Sequence, residues 1–269
     1  MKKPFLLIFL LSILGASSLK SQQYEAQNQE GEFLIDGLQE NWPVLQMAED
    51  SIYALAFSHG QGKLYVCLEV YDLKWQSHIL LTGMTLWIDE KGKKKKNKGI
   101  HYPTGYKQRE ILSDPMRFRE VLEAVQDQKN EIAEKLVSME LLNFYGKDSR
   151  TWGKTNNPDA INVKLVFDEA GSMIYEAAIP LEAVFSEKEV YADQNSKGFS
   201  IGWETGELGR PELRGDDAVG LSGSNPANPV KFNSEWDRNF QKELNNYRQY
   251  AVPEKFWIKR MKLINFQIE

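Results

Sequence analysis

From Leu64 to Tyr71 the chain alternates strictly. Leu64, Val66, Leu68 and Val70 fall on one side of an extended backbone, and Tyr65, Cys67, Glu69 and Tyr71 on the other. A period of two marks a β-strand that packs one face against a core. Strand patterns recur at 52–57, 84–89, 161–167, 173–179, 199–204 and 256–264. Gly60-Gln61-Gly62-Lys63 separates the first of these from Leu64–Tyr71, which predicts a hairpin. A second hairpin is predicted around Asp168-Glu169-Ala170-Gly171, with Leu165 and Phe167 before the turn and Tyr175, Ala177 and Ile179 after it. Pro180 stops the second of those strands because it has no N–H to give a neighbour, and Leu181–Phe185 then reads as one helical turn.

One stretch follows a different period. Ser113-Asp114-Pro115 has the form of an N-cap followed by proline in the first turn. Phe118, Val121, Leu122, Val125, Ile132, Leu136 and Met139 then recur at three- and four-residue steps, which predicts an amphipathic helix broken near Gln126–Asn130. Residues 72–78 and 146–159 read as loops, and 206–240 as a long irregular segment rich in Gly, Pro and Asn. Strands joined by turns rather than by regular helices favour antiparallel layers over a parallel sheet. The expected fold is mainly β: an antiparallel, jelly-roll-like β-sandwich. A helical insertion at about 113–142 is hung on its outside, and the long irregular late loop follows. No internal repeat or linker divides the chain, so residues 23–269 are expected to form a single domain.

The first residues add a compartment. Lys2 and Lys3 precede an apolar run from Phe5 to Leu14, and Gly15, Ala16, Ser17 and Ser18 follow. This is the layout of a cleavable secretory signal peptide over 1–22, and the apolar run is about half of the ~20 residues a membrane helix needs. The expected location is therefore the periplasm or the cell exterior, with no membrane span after signal removal. The chain carries 33 basic and 38 acidic residues, a net charge of −5, and the first 22 residues hold three of the lysines and no acid. That balance argues against a nucleic-acid partner, because phosphate binding needs concentrated positive charge. Cys67 is the single cysteine, so no intrachain disulfide forms, and its place in a strand marks it as a buried apolar residue. Against the acidic background stands Lys91-Gly92-Lys93-Lys94-Lys95-Lys96-Asn97-Lys98, read as an exposed, mobile hairpin tip whose charges deter edge-to-edge strand pairing. The alternative role for this tip is attraction to anionic glycans, lipopolysaccharide or a membrane surface.

Several short phrases occur together: Asp36-Gly37 followed by Trp42, the strand Leu64–Val70 running on to Asp72, Trp87-Ile88-Asp89, Tyr175-Glu176-Ala177-Ala178-Ile179-Pro180, and the final strand at Trp257. In these the chain resembles the family-nine carbohydrate-binding modules within the DOMON-like β-sandwiches. The resemblance spans most of residues 30–264 apart from the helix and the late loop. It implies a secreted, non-catalytic protein that binds sugar, with haem binding known among relatives. Neither the family's stacking aromatics nor its calcium ligands map onto particular positions here.

Sugar recognition needs flat aromatic faces beside planar polar groups. Of the seven tryptophans, Trp75, Trp152 and Trp236 fall in expected loops beside polar neighbours. Trp87 points away from its strand neighbours Leu86 and Ile88, whereas Trp203 shares a face with Ile201 and reads as core. Trp75, Trp87, Trp152 and Trp236 are the expected ligand contacts. Metal chemistry finds little support: the three histidines, His59, His78 and His101, have no helical pairing, and no cysteine pair exists. Asp216 and Asp217 offer the oxygen ligands calcium takes, in what reads as a solvated turn, and Met84 with His78 or His59 is a nominal haem axial pair. Glu176 reads as structural. No cofactor is required. The expected function is carbohydrate binding. The alternatives are an envelope protein–protein interaction module, a haem-binding DOMON-like domain, or a glycan-active enzyme.

Overall fold

The computed structural model describes residues 25–28, 33–38, 42–48, 52–105, 118–157, 160–185, 199–208, a few positions between 238 and 250, and 255–263. Along these run β1 (Glu25–Asn28), β2 (Gln46–Met47), β3 (Tyr53–Gly60), β4 (Lys63–Val70), α1 (Leu73–Thr82), β5 (Met84–Asp89) and β6 (Lys98–His101). They continue with α2 (Phe118–Asp127), α3 (Lys129–Lys135), β7 (Ser138–Leu142), β8 (Arg150–Lys154), β9 (Asn162–Phe167), β10 (Met173–Pro180), α4 (Leu181–Val184), β11 (Phe199–Thr205) and β12 (Lys255–Leu263).

The strands form the two layers of a β-sandwich. The first layer is β9-β10-β4-β3, antiparallel throughout, with β2 also paired to β3. The second is β8-β7-β6-β5-β11-β12, again antiparallel. β1 runs parallel to both β3 and β12 and joins the layers on one side. Their inner faces meet. Phe57 of β3 lies 6.2 Å from Trp203 of β11, and Tyr102, just past β6, lies 6.1 Å from Tyr175 of β10, centroid to centroid. Leu55, Leu64, Val66 and Leu68 from one layer and Leu86, Ile88, Ile100 and Ile201 from the other are completely buried between them. Each such side chain contributes about 1.5–3 kcal/mol relative to exposure.

The two layers differ on their outer sides. In the first, the expected second face of β4 is covered as well: Tyr65 and Cys67 join Ala56, Ile174 and Ala178 in a smaller apolar cluster closed by Phe33 and Trp42. Burial pushes the Cys67 thiol well above its ordinary range, as expected of an inert core cysteine. Residues 33–38 and 42–45 lie over the sheet and are pinned by Glu176, whose Oε1 accepts from Trp42 Nε1 at 2.6 Å and whose Oε2 accepts from the Gly37 N–H at 2.7 Å. Gly37 adopts φ +82°, and a Cβ there would lie 2.5 Å from Val166 Cγ2, so both conformation and space call for glycine. Burial raises the Glu176 carboxyl above the usual range, and the two hydrogen bonds pull the other way.

The helical elements depart from expectation. Residues 73–82, in part read as loop, form α1. Asp72 caps it by accepting the Trp75 N–H at 2.8 Å, and Gly83 ends it. Ile79, Leu80 and Leu81 are fully buried, but so are the polar Gln76, Ser77, His78 and Thr82, so no apolar stripe marks one face of the helix. The periodic stretch after 113 does break into two helices, at Gln128. It ends at Lys135, however, and Met139 and Leu141 belong to β7, where they point into the core at a spacing of two. Spacings of three and four across Ile132, Leu136 and Met139 matched a helix only because the chain changes element between them. The segment read as loop at 146–159 contains β8. Residues 1–22, 113–117 and 209–237 lie outside the described residues, and with them the expected signal peptide, Asp216, Asp217 and most of the expected late loop.

Candidate functional site

The outer side of the second layer carries the site. Register fixes which side chains share it. Trp152, Glu140, His101, Thr85, Glu204 and Lys255 stand in one row across six strands, and Arg150, Leu142, Gly99, Trp87 and Gly202 in the next. Side chains in register point to the same face. No cover comparable to residues 33–38 and 42–45 appears among the described residues.

Trp87 is seated in the sheet. A Cβ on Gly99 would stand 2.7 Å from Trp87 Cζ3, so the indole ring rests on the bare backbone of β6. Its Nε1 donates to Glu204 Oε2 at 3.0 Å. Lys96 donates to Glu204 Oε1 at 2.7 Å and stands over the ring at 5.7 Å from its centroid. The expected outward orientation of Trp87 is what the alternation of β5 delivers.

Trp152 is 63% exposed and lies not in a loop but on β8, the edge strand. Across from it Glu140 is held by Arg150 Nη1 at 3.4 Å and by His101 Nδ1 at 3.3 Å. A groove of about 530 Å³ runs along this edge, lined by Met139, Leu141, Phe144, Tyr145, Trp152 and Ile161, among others. Tyr145 at its rim is 72% exposed. From strand spacing, Trp87 and Trp152 are about 14 Å apart across the sheet and about 7 Å apart along it.

The remaining expected contacts separate from these two. Trp75 belongs to α1 rather than to a loop, and it packs against Tyr53 at 5.9 Å and against the main core, away from the sheet face. Trp236 lies outside the described residues. The nominal haem pair is interior: His78 is buried with Nε2 at 3.0 Å from the Gly206 carbonyl, and burial pushes it down to about 4. Met84 and His59 are buried too. Among the described residues no group of three or more His, Cys, Asp or Glu side chains could hold a metal ion.

The lysine tip is exposed, as expected, and its backbone is hydrogen-bonded to the body of the protein. Asp89, completely buried, accepts the backbone N–H groups of Lys91 at 3.1 Å, Lys93 at 2.7 Å and Lys95 at 2.9 Å, and the Asn97 side-chain amide at 2.9 Å. Like charge on neighbouring side chains suggested repulsion and motion. The backbone amides turn inward to one carboxylate, and charge-assisted bonds of this kind are worth about 1.5–3 kcal/mol each. Lys98 completes the anchoring by donating to the carbonyls of Ala183 at 2.6 Å and Val184 at 2.9 Å.

Sequence reasoning did not single out Glu140, His101, Arg150 or Glu204. Glu204 was within reach, since it alternates with the inward Trp203. The other three depend on β7 and β8, which had been read as helix and loop.

No family model matches the chain, and no curated protein matches it. Among solved structures the chain is similar to a carbohydrate binding module family 9 from Caldicellulosiruptor kristjanssonii in complex with glucose, at 13% identity over 68% of this chain and 78% of that one, TM-score 0.30. A second structure of such a module from the same organism, in complex with cellotriose, matches at 11% identity over 68% of this chain and 76% of that one, TM-score 0.28.

Proposed function

We propose that this chain is a non-catalytic binding protein that holds carbohydrate against the outer face of β5–β8, in an exported setting to which residues 1–22 direct it. The reading rests on one observation above all: two tryptophans on one open sheet face, Trp152 exposed and Trp87 seated on Gly99, with charged hydrogen-bonding groups set between them. An indole presents a flat apolar surface to the C–H face of a pyranose, while carboxylate and guanidinium groups match the in-plane hydroxyls. The partner is a polysaccharide rather than a monosaccharide, because the two rings are several sugar widths apart on an open surface. No cofactor enters this scheme. No helix among the described residues is long and apolar enough to cross a membrane.

Hydrolysis fits the face poorly. Of the carboxylates that register places on it among the described residues, Asp89 is buried beneath the tip, and Glu140 and Glu204 stand three strands apart, or about 14 Å between backbone positions. Glycosidases set their carboxyl groups roughly 5–10 Å apart. Each of these acids is already engaged, Glu140 with Arg150 and His101, and Glu204 with Trp87 and Lys96.

Affinity electrophoresis against a panel of soluble polysaccharides, followed by calorimetry on the best, tests the proposal. Trp152→Ala should weaken binding at least about ten-fold, the equivalent of about 1.4 kcal/mol, with an unchanged circular dichroism spectrum. A folded protein that retards on no polysaccharide would refute it.

A further inference from the structure

We infer that the glycan held on this face is an acidic polysaccharide, one carrying uronic acid carboxylates or sulfates, and that the lysine tip is the part of the site that selects the charge. The inference rests on the carbohydrate reading of the β5–β8 face and names its ligand class.

The first support is charge segregation. The whole chain is acidic, at net −5. On the face, register places Arg150, Lys154 and Lys255 with the carboxylates Glu140, Glu204 and Asp89 among the described residues, the last of these buried beneath the tip. The tip at its margin adds six lysines within eight residues. Positive potential on an acidic body is concentrated here, and such local fields raise the concentration and on-rate of an oppositely charged ligand.

The second support is the build of the tip. A cluster that only needed to discourage strand pairing could hang loosely. Here a buried carboxylate gathers three backbone amides from Lys91, Lys93 and Lys95, so the loop is fixed while its side chains point outward. Lys91 sits 3.9 Å from Glu90, and Lys96 and Lys98 are tied back to the body. Lys93 and Lys95 are exposed and take part in none of the ion pairs of the described residues. Their backbone is already held, so when an anion binds, the entropy lost is that of the two side chains and not of the loop.

The third support is continuity. Lys96 bridges tip and face: its ammonium bonds Glu204 and stands over Trp87. A chain stacked along the sheet toward Trp87 therefore runs directly under the tip. A carboxylate or sulfate arriving there would compete with Glu204 for Lys96 while meeting Lys93 and Lys95.

Binding is measured to polygalacturonate and to the same polymer with its carboxyls methyl-esterified, with poly-glutamate as a polyanion lacking sugar. The expected result is binding to polygalacturonate at least about ten-fold tighter than to the ester, weakening by about as much when NaCl rises from roughly 0.05 to 0.5 M. The double variant Lys93→Gln/Lys95→Gln, both positions being on the surface, should remove most of that preference and leave the fold intact. Equal binding of acid and ester, lost in Trp152→Ala, would overturn the acidic-ligand inference and leave the carbohydrate reading standing. Poly-glutamate binding as tight as polygalacturonate would overturn it as well, since charge alone would then suffice. Failure of every glycan, charged or neutral, would overturn the carbohydrate reading itself.

Discussion

The two outer faces of this sandwich begin from the same strand alternation and end in opposite roles. Over β4 and β10 the outer positions are Tyr65, Cys67, Ile174 and Ala178, and residues 33–38 and 42–45 close over them with Phe33 and Trp42. Over β5 and β6 the outer positions include Thr85, Trp87, Gly99 and His101, and among the described residues the face carries ion pairs and no lid. Each face uses a tryptophan indole N–H bonded to a glutamate. Trp42 and Glu176 form their bond in the buried cluster, where it holds a segment down, whereas Trp87 and Glu204 form theirs at the surface. The pairing is the same, but one copy is buried under a covering segment and the other lies on the face proposed for recognition.

The largest effect expected from breaking this comparison comes from the covered side. Trp42→Ala removes a buried aromatic and orphans Glu176 Oε1, and should cost about 3–5 kcal/mol in denaturant unfolding. It should also open Cys67 to thiol reagents in the native state, because that cysteine lies under the same lid. Next, Asp89→Ala takes the acceptor from three backbone amides and should cost about 2–4 kcal/mol, with proteolytic nicking appearing among residues 91–98. A tip that stays protease-resistant in this variant would mean that its order comes from elsewhere.

Glu176→Gln should cost about 1–3 kcal/mol, since an amide offers one acceptor oxygen where Trp42 and Gly37 need two. The pH dependence of the difference is informative. Burial raises the folded-state value of Glu176, so the folded protein holds the proton more readily than the unfolded chain. The contribution of this group is therefore full below its unfolded value and is lost as pH rises through the raised folded value. Wild type should gain on Glu176→Gln as pH falls through that window, and a difference independent of pH would contradict the assignment. The smallest effect belongs to the open side: Trp152→Ala should change stability by no more than about 0.5 kcal/mol, because little packing is lost at an exposed edge position. A large destabilisation there would make Trp152 a structural cap rather than a contact.

The clearest sequence signals were those carried by local period. Strands β3, β4, β5, β9, β10 and β11 stood out because hydrophobic alternation over six to eight residues has one physical meaning when a layer packs on one side. Core assignments followed with it, including Cys67 and Trp203. Where two elements met inside one window the signal failed: α3 runs into β7 within four residues, and their combined spacing imitated a longer helix. Helix α1 was hidden for a different reason, since its buried positions include the polar Gln76, Ser77, His78 and Thr82 and leave no apolar stripe to recognise.

The candidate site was half legible. Trp87 could be placed on an outer face from its own strand. That Trp152 shares that face depends on the β6–β7–β8 pairings, and nothing in residues 138–154 announces its partners. Likewise, the run of lysines is plain in the sequence, but its anchoring follows from where Asp89 is buried. The amino-acid order by itself determined a two-layered β protein with an acidic body, one inert thiol and a concentrated basic run, because these follow from neighbours within a few residues. Only the tertiary structure decided which outer face is sealed and which, among the described residues, has no such cover, because that depends on contacts between segments more than a hundred residues apart, such as Trp42 with Glu176 and Trp87 with Glu204.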